Sequence, residues 1–168
     1  CLAWDGVDDR LSNLSDIPAA WDRSGAAIVA CCYIPNTTGR PLGLFKTNGV
    51  TANKAEDLYH PGSGGNVYGT IAAGAPSCVV NGAVGWKTVV LTHDGTNATL
   101  RVNGVQQVKP VAALSAFQPD RMFLGCVLSA AGSPVNFSAW KLSALWLYRS
   151  PVNAAKAEAL MQKKWGYI

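Results

Sequence analysis

This chain is short of charge, and carboxylates in particular are few. Asp, Glu, Lys and Arg make up only 14% of its 168 residues, which excludes a disordered polyelectrolyte. Glutamate occurs twice, as Glu56 and Glu158. A retaining glycosidase needs two carboxyl groups about 5–5.5 Å apart across the scissile bond. Glu158 falls in a helix-like tail and Glu56-Asp57 has no partner motif, so that chemistry is not expected. Histidine also occurs twice, as His60 and His93. No G-x-S-x-G elbow accompanies either one, so a Ser–His–acid triad is not expected, and His93 beside Asp94 reads as a solvent-facing turn residue. The chain therefore reads as a protein that is not an enzyme.

Other absences narrow the class further. No apolar run approaches the roughly 20 residues of a membrane span, and no basic n-region opens a signal peptide. The formal charge of +4 is spread along the chain except at Lys163-Lys164, without the basic stripe and interleaved aromatics of a nucleic-acid binder. No C-x-x-C pair exists, which excludes a structural zinc site of the usual spacing. The five cysteines, Cys1, Cys31, Cys32, Cys78 and Cys126, mostly lie in or beside apolar runs and read as reduced core residues; one disulfide remains compatible with the count. Cys31 and Cys32 are adjacent, so in a strand they point to opposite faces. A start at Cys1 is read as excision or processing from a longer polypeptide, in preference to a lipid anchor, because no polar tether follows.

The chain does contain strands and tight turns. Seventeen glycines suit many tight turns, and the clearest turn is Asn103-Gly104 between Ala98–Val102 and Val105–Val108. Asn-Gly accepts the positive φ angles of a type I′ turn, so this segment is expected to form a hairpin in a known register. Residues 26–34 form an almost unbroken apolar run bounded by Gly25 and Pro35, as in a strand covered on both faces. Shorter candidates are Leu42–Lys46, Leu58–His60, Asn66–Ala73, Ser77–Val80, Trp86–His93 and Arg121–Leu128. In Phe137–Tyr148, alternation puts Trp140, Leu142, Ala144, Trp146 and Tyr148 on one face. Ser150-Pro151 is expected to open a helix, whose stripe Ala154, Ala157, Met161 and Trp165 packs inward before Gly166 stops it. With no repeat and no linker, residues 1–168 read as one domain.

Three segments carry a resemblance. Ala3-Trp4-Asp5-Gly6-Val7-Asp8-Asp9-Arg10-Leu11 resembles the F-D-G-V-D-D-Y-L opening of lectin-like jelly rolls, with Trp4 at the aromatic position and Arg10 in place of tyrosine. The Trp86 strand followed by Leu100-Arg101-Val102-Asn103-Gly104 resembles the centre of such domains. Leu160 to Gly166 resembles the Y-L-A-x-K-W-G tail that closes many of them, some in phage virion and bacterial surface proteins. The group is the concanavalin A-like lectin and glucanase fold, including laminin-G-like domains. The resemblance implies an all-β, two-sheet antiparallel jelly-roll sandwich with a short C-terminal α-helix. The Glu-x-Asp-x-x-Glu strand motif of its laminarinase-type members is missing.

The resemblance also implies a role. The expectation is a non-catalytic recognition module that binds carbohydrate in adhesion or receptor binding, carried in a larger phage or cell-surface assembly. The alternative is a structural virion decoration or fibre domain without ligand binding. Partners would be a glycan or host-surface receptor and proteins of that assembly, with a homo-oligomer as one form. Trp21, Asp57, Tyr59, Asn66 and Tyr68 are the candidate sugar contacts: aromatics for the apolar face of a pyranose, polar groups for its hydroxyls. Calcium is a possible cofactor through Asp5, Asp8, Asp9, Asp94 and Asn97, although Asp-Gly and Asp-x-Asp at bends are also ordinary turn chemistry.

Overall fold

A computed structural model describes residues 2–3, 11–13, 25–36, 39–47, 52–60, 66–71, 77–111, 121–125, 127–128, 134–135 and 139–165. In chain order the strands are β1 (Leu2–Ala3), β2 (Leu11–Asn13), β3 (Ala27–Ile34), β4 (Gly39–Thr47), β5 (Ala52–His60), β6 (Val67–Thr70) and β7 (Cys78–Val80). They continue as β8 (Gly85–His93), β9 (Asn97–Val102), β10 (Val105–Pro110), β11 (Arg121–Leu124), β12 (Val127–Leu128), β13 (Pro134–Val135) and β14 (Lys141–Tyr148), and one helix follows, α1 (Ala154–Trp165). Among the described residues they form a six-stranded sheet β1-β14-β3-β8-β9-β10, a second six-stranded sheet β2-β11-β4-β5-β6-β7, and the ribbon β12-β13. Every pairing is antiparallel. This is the expected jelly-roll sandwich with a C-terminal helix.

The apolar run at residues 26–34 becomes β3, the buried spine of the first sheet. Its even-numbered side chains, Ile28, Ala30, Cys32 and Ile34, enter the core between the sheets with Leu91, Leu100 and Val67. Val29 and Cys31 face the other way, against Val90 and the helix residues Ala154, Ala157 and Met161. Strand alternation thus separates Cys31 from Cys32 as expected, and α1 makes a third layer. At Gly69 in β6 a Cβ would meet Leu91 Cδ1 of the first sheet at 2.7 Å, so a side chain there would require Leu91 to shift.

The Asn-Gly hairpin forms in the expected register, with Val105 opposite Val102. Asn103 takes φ 41° and Gly104 φ 89°, the left-handed region that a type I′ turn requires. Asn103 also braces the neighbouring strand: its Oδ1 accepts the Thr88 N–H at 2.7 Å.

Several details differ from the periodicity. The expected strand Arg121–Leu128 divides into β11 and β12 around Gly125, whose φ is 83°. In β14, Trp140 and Leu142 face the inter-sheet core, whereas Ala144, Trp146 and Tyr148 face the helix side. The register shifts between Leu142 and Ala144, and this one-residue bulge turns the later side chains onto the opposite face. The helix starts later than Ser150-Pro151 suggests. Asn153 is its cap, with Oδ1 accepting the Lys156 N–H at 3.0 Å, the bond that makes Asn a favoured N-cap. Nor does Trp165 dock the helix: it is 38% exposed and Leu160 60%, while Ala154, Ala157, Glu158 and Met161 are buried.

Candidate functional site

The residues that sequence singled out for ligands fall in three places. Trp21, Asp5, Asp8 and Asp9 lie outside the described residues. Asp94 and Asn97 sit together at the β8–β9 turn. Asp94 Oδ1 accepts from Thr96 N at 2.9 Å, Thr96 Oγ1 at 2.9 Å and Asn97 N at 2.7 Å. The backbone N–H groups of Thr96 and Asn97 hold the carboxyl at about 2, well below its ordinary 3.8, because they favour the charged form. This is the hydrogen bonding of an Asx turn, which accounts for Asp94 without a metal ion. No group of three or more His, Cys, Asp or Glu is assembled among the described residues.

The third place is the second sheet. Tyr59 in β5 and Tyr68 in β6 are direct partners across the ladder, and Asp57 is paired with Thr70 two positions away. The pairs Asp57–Thr70 and Tyr59–Tyr68 are alternate rungs of the ladder, with Leu58–Gly69 between them. Val67 and Gly69, the alternate positions of β6, meet the first sheet, so Tyr68 stands on the face away from the sandwich core. Its ring is half-buried, as is Asn66 at the entrance to the strand. Thr70 Oγ1 and Ser77 Oγ are hydrogen-bonded at 2.8 Å.

Nucleophiles are scarce. Cys31, Cys32 and Cys78 are free and buried, and burial pushes all three thiols above their ordinary value. Thiols raised in this way are poor nucleophiles at neutral pH. His93, expected to face solvent, is instead completely buried at the end of β8. The strand lies between β3 and β9, and the His93 N–H donates to the Ala26 carbonyl at 3.0 Å. A hollow of about 80 Å³ between β7 and the β9–β10 hairpin, lined by Val80, Asn81, Lys87, Val102 and Val105 among others, is well below the roughly 300–1,000 Å³ of small-molecule pockets.

One face has no single sequence signal. On the helix side of the first sheet, Tyr33 and Trp86 meet edge to face with centroids 5.9 Å apart, and Lys141 Nζ lies 5.4 Å from the Tyr33 centroid. Nearby, Lys164 Nζ lies 5.6 Å from the Trp146 centroid and 6.0 Å from that of Trp165. These groups come from four distant segments. The one trace of them in sequence is the aromatic spacing of β14, which the bulge rearranges.

No protein-family model and no curated protein sequence matches the chain. Among solved structures, the heptameric SAP-like pentraxin from Limulus polyphemus superimposes with a TM-score of 0.66 at 14% identity, over 94% of this chain and 79% of the pentraxin. Domains LG4-5 of the mouse laminin alpha1 chain give 0.62 at 15% identity, over 91% of this chain and 42% of theirs. Trypanosoma rangeli sialidase in complex with sialic acid gives 0.63 at 16% identity, over 88% of this chain and 24% of the sialidase. The chain thus spans about a quarter of the sialidase it matches. These likenesses establish the fold, a concanavalin A-like, laminin-G-like jelly roll. They also correct the expectation of a chain that is not an enzyme, because the sandwich occurs within sialidases, which are enzymes. The missing Glu-x-Asp-x-x-Glu motif speaks to one reaction only, and what is shared with the sialidases is the β-sandwich, which does not itself specify an activity.

Proposed function

We propose that this chain is a carbohydrate-recognition module carried in a larger virion or cell-surface assembly. The observation that supports it best is the β5–β6 ladder, where Tyr59 is opposite Tyr68 and Asp57 opposite Thr70. Aromatic groups cover the apolar face of a sugar ring, and a carboxylate two positions along the strand satisfies its hydroxyls. Two of the solved structures of the same fold agree with this: one sialidase holds sialic acid, and the pentraxin is a heptamer, a precedent for multivalent display. The surface location is supported by the resemblance of the closing motif to the tail of lectin-like domains, some of them in phage virion and bacterial surface proteins. No helix among the described residues is long and apolar enough to cross a membrane.

The test is a glycan array followed by calorimetry on the best ligand. Tyr68→Ala, and separately Asp57→Ala, is expected to weaken binding at least tenfold, about 1.4 kcal/mol, with the unfolding midpoint of Tyr68→Ala close to that of the parent. Repeating the titration with calcium and with a chelator tests the proposal that Asp5, Asp8 and Asp9 hold the ion; loss of binding in chelator, copied by Asp8→Ala, supports it. A folded protein that binds no glycan under either condition overturns the recognition reading.

A further inference from the structure

The helix-side face of the first sheet joins aromatic rings to lysines at two stations. At the first, Lys141, Tyr33 and Trp86 form one rung across β14, β3 and β8. At the second, Val29 is the β3 partner of Trp146, which carries Lys164 above its ring and Tyr148 edge to face at 6.5 Å. Tyr33 and Val29 are four residues apart on one strand, so the stations lie roughly 13 Å apart at about 3.3 Å per residue. That separation exceeds one sugar ring and suits a short oligosaccharide.

Among the described residues Lys141 and Lys164 lie against the rings, and Arg149, Lys156 and Lys163 are exposed on the adjoining segment and helix. Among the described residues of the first sheet, its turns and the helix, the carboxylates are two. Glu158 is buried and ion-paired to Arg101 at 2.7 Å; Asp94 is engaged in its own turn, beyond the far end of β8 from Trp86. Among the described residues, no ion pair joins Lys141 or Lys164 to either of these carboxylates. The lysines rest on aromatic rings, a contact weaker than a charge-assisted hydrogen bond to a carboxylate. An anionic ligand can therefore draw them from the rings.

We propose that this face binds an acidic glycan, an oligosaccharide bearing carboxylates, at a site distinct from the Tyr59–Tyr68 ladder of the other sheet. The proposal rests on the reading of the chain as a carbohydrate module and adds the ligand's charge and a second site. Sugar C–H groups pack on the half-exposed rings while Lys141 and Lys164 donate to successive carboxylates. A single-stranded nucleic acid is the other polyanion with affinity for aromatics; the reading of the chain as a carbohydrate module favours the sugar, and the oligonucleotide is an outcome of the test.

The experiment is titration of the whole chain with 3′-sialyllactose, a hyaluronan hexasaccharide, lactose and a dT oligonucleotide at low and moderate salt. The acidic sugars are expected to bind at least tenfold tighter than lactose, and more weakly as salt rises. Lys141→Ala and Lys164→Ala should each weaken acidic-sugar binding threefold or more, and together tenfold, while Lys→Arg at both positions restores it. Sialyllactose and hyaluronan distinguish a terminal acidic sugar from a repeating one. Both lysines are exposed, so folding of the variants is checked by an unchanged unfolding midpoint. Equal binding of lactose and acidic sugars, undiminished binding by the double Ala variant, or tighter binding of the oligonucleotide overturns this proposal alone. Binding of no sugar at all overturns it together with the recognition reading.

Discussion

Asp94 owes its low pKa to three donors on one oxygen, from Thr96 and Asn97. Its carboxyl titrates near 2 in the fold against 3.8 ordinarily, so the charged form is the one the turn stabilises. The stabilisation is complete above about pH 4 and is lost as pH falls through 2. Because the group is exposed, screening keeps it below about 1 kcal/mol. Urea unfolding of the parent and of Asp94→Asn between pH 5 and 2 is expected to show a fall in the parent that the variant lacks. Parallel curves would disprove the assignment. This residue was legible because Asx-turn chemistry is local. The burial of His93 was not, since it depends on β3 and β9 closing over the strand from either side.

At the scale of elements, Glu158 joins the terminal helix to the hairpin. Its Oε2 accepts from Arg101 Nε at 2.7 Å and its Oε1 from the Gly104 N–H at 2.9 Å, tying α1 to β9 and to the turn that follows it. Removing a buried carboxylate leaves both donors unsatisfied. Glu158→Ala is expected to cost about 1–3 kcal/mol in denaturant unfolding, with a coupling energy to Arg101→Ala of at least about 0.5 kcal/mol in a double-mutant cycle. Additive effects would show that the contact carries no energy. Sequence periodicity found the helix and the hairpin but not their connection, which is made by side chains more than fifty residues apart. It also missed the bulge in β14, because alternation assumes that no residue is inserted.

For the whole molecule, the core packed between the two sheets contributes to stability. Leu91 and Leu100 fill the space over Gly69, and both are fully buried. Leu100→Ala empties part of this contact and is expected to cost about 2–5 kcal/mol. Fluorescence and circular dichroism should report a single shared transition at a lower denaturant midpoint; a loss below about 1 kcal/mol would place the main core elsewhere. The sandwich itself is common to a pentraxin, to laminin domains and to part of a sialidase at 14–16% identity. Such a scaffold tolerates wholesale change of its faces, so its function must be sought in them.

By itself the sequence determined the Asn103-Gly104 hairpin and its register, the opposed placement of Cys31 and Cys32, and the existence of the terminal helix, each of which follows from residue periodicity or from local φ preferences that act over a few positions. The fold class was legible through the resemblance of three segments to lectin-like jelly rolls. Only the tertiary structure decided that Trp140 enters the core while Trp146 faces the helix side, that Glu158 is a buried link, and that Lys141, Tyr33 and Trp86 share one rung. Those outcomes depend on the bulge, on the strand order and on the seating of the helix, which are set by packing between segments far apart in the chain.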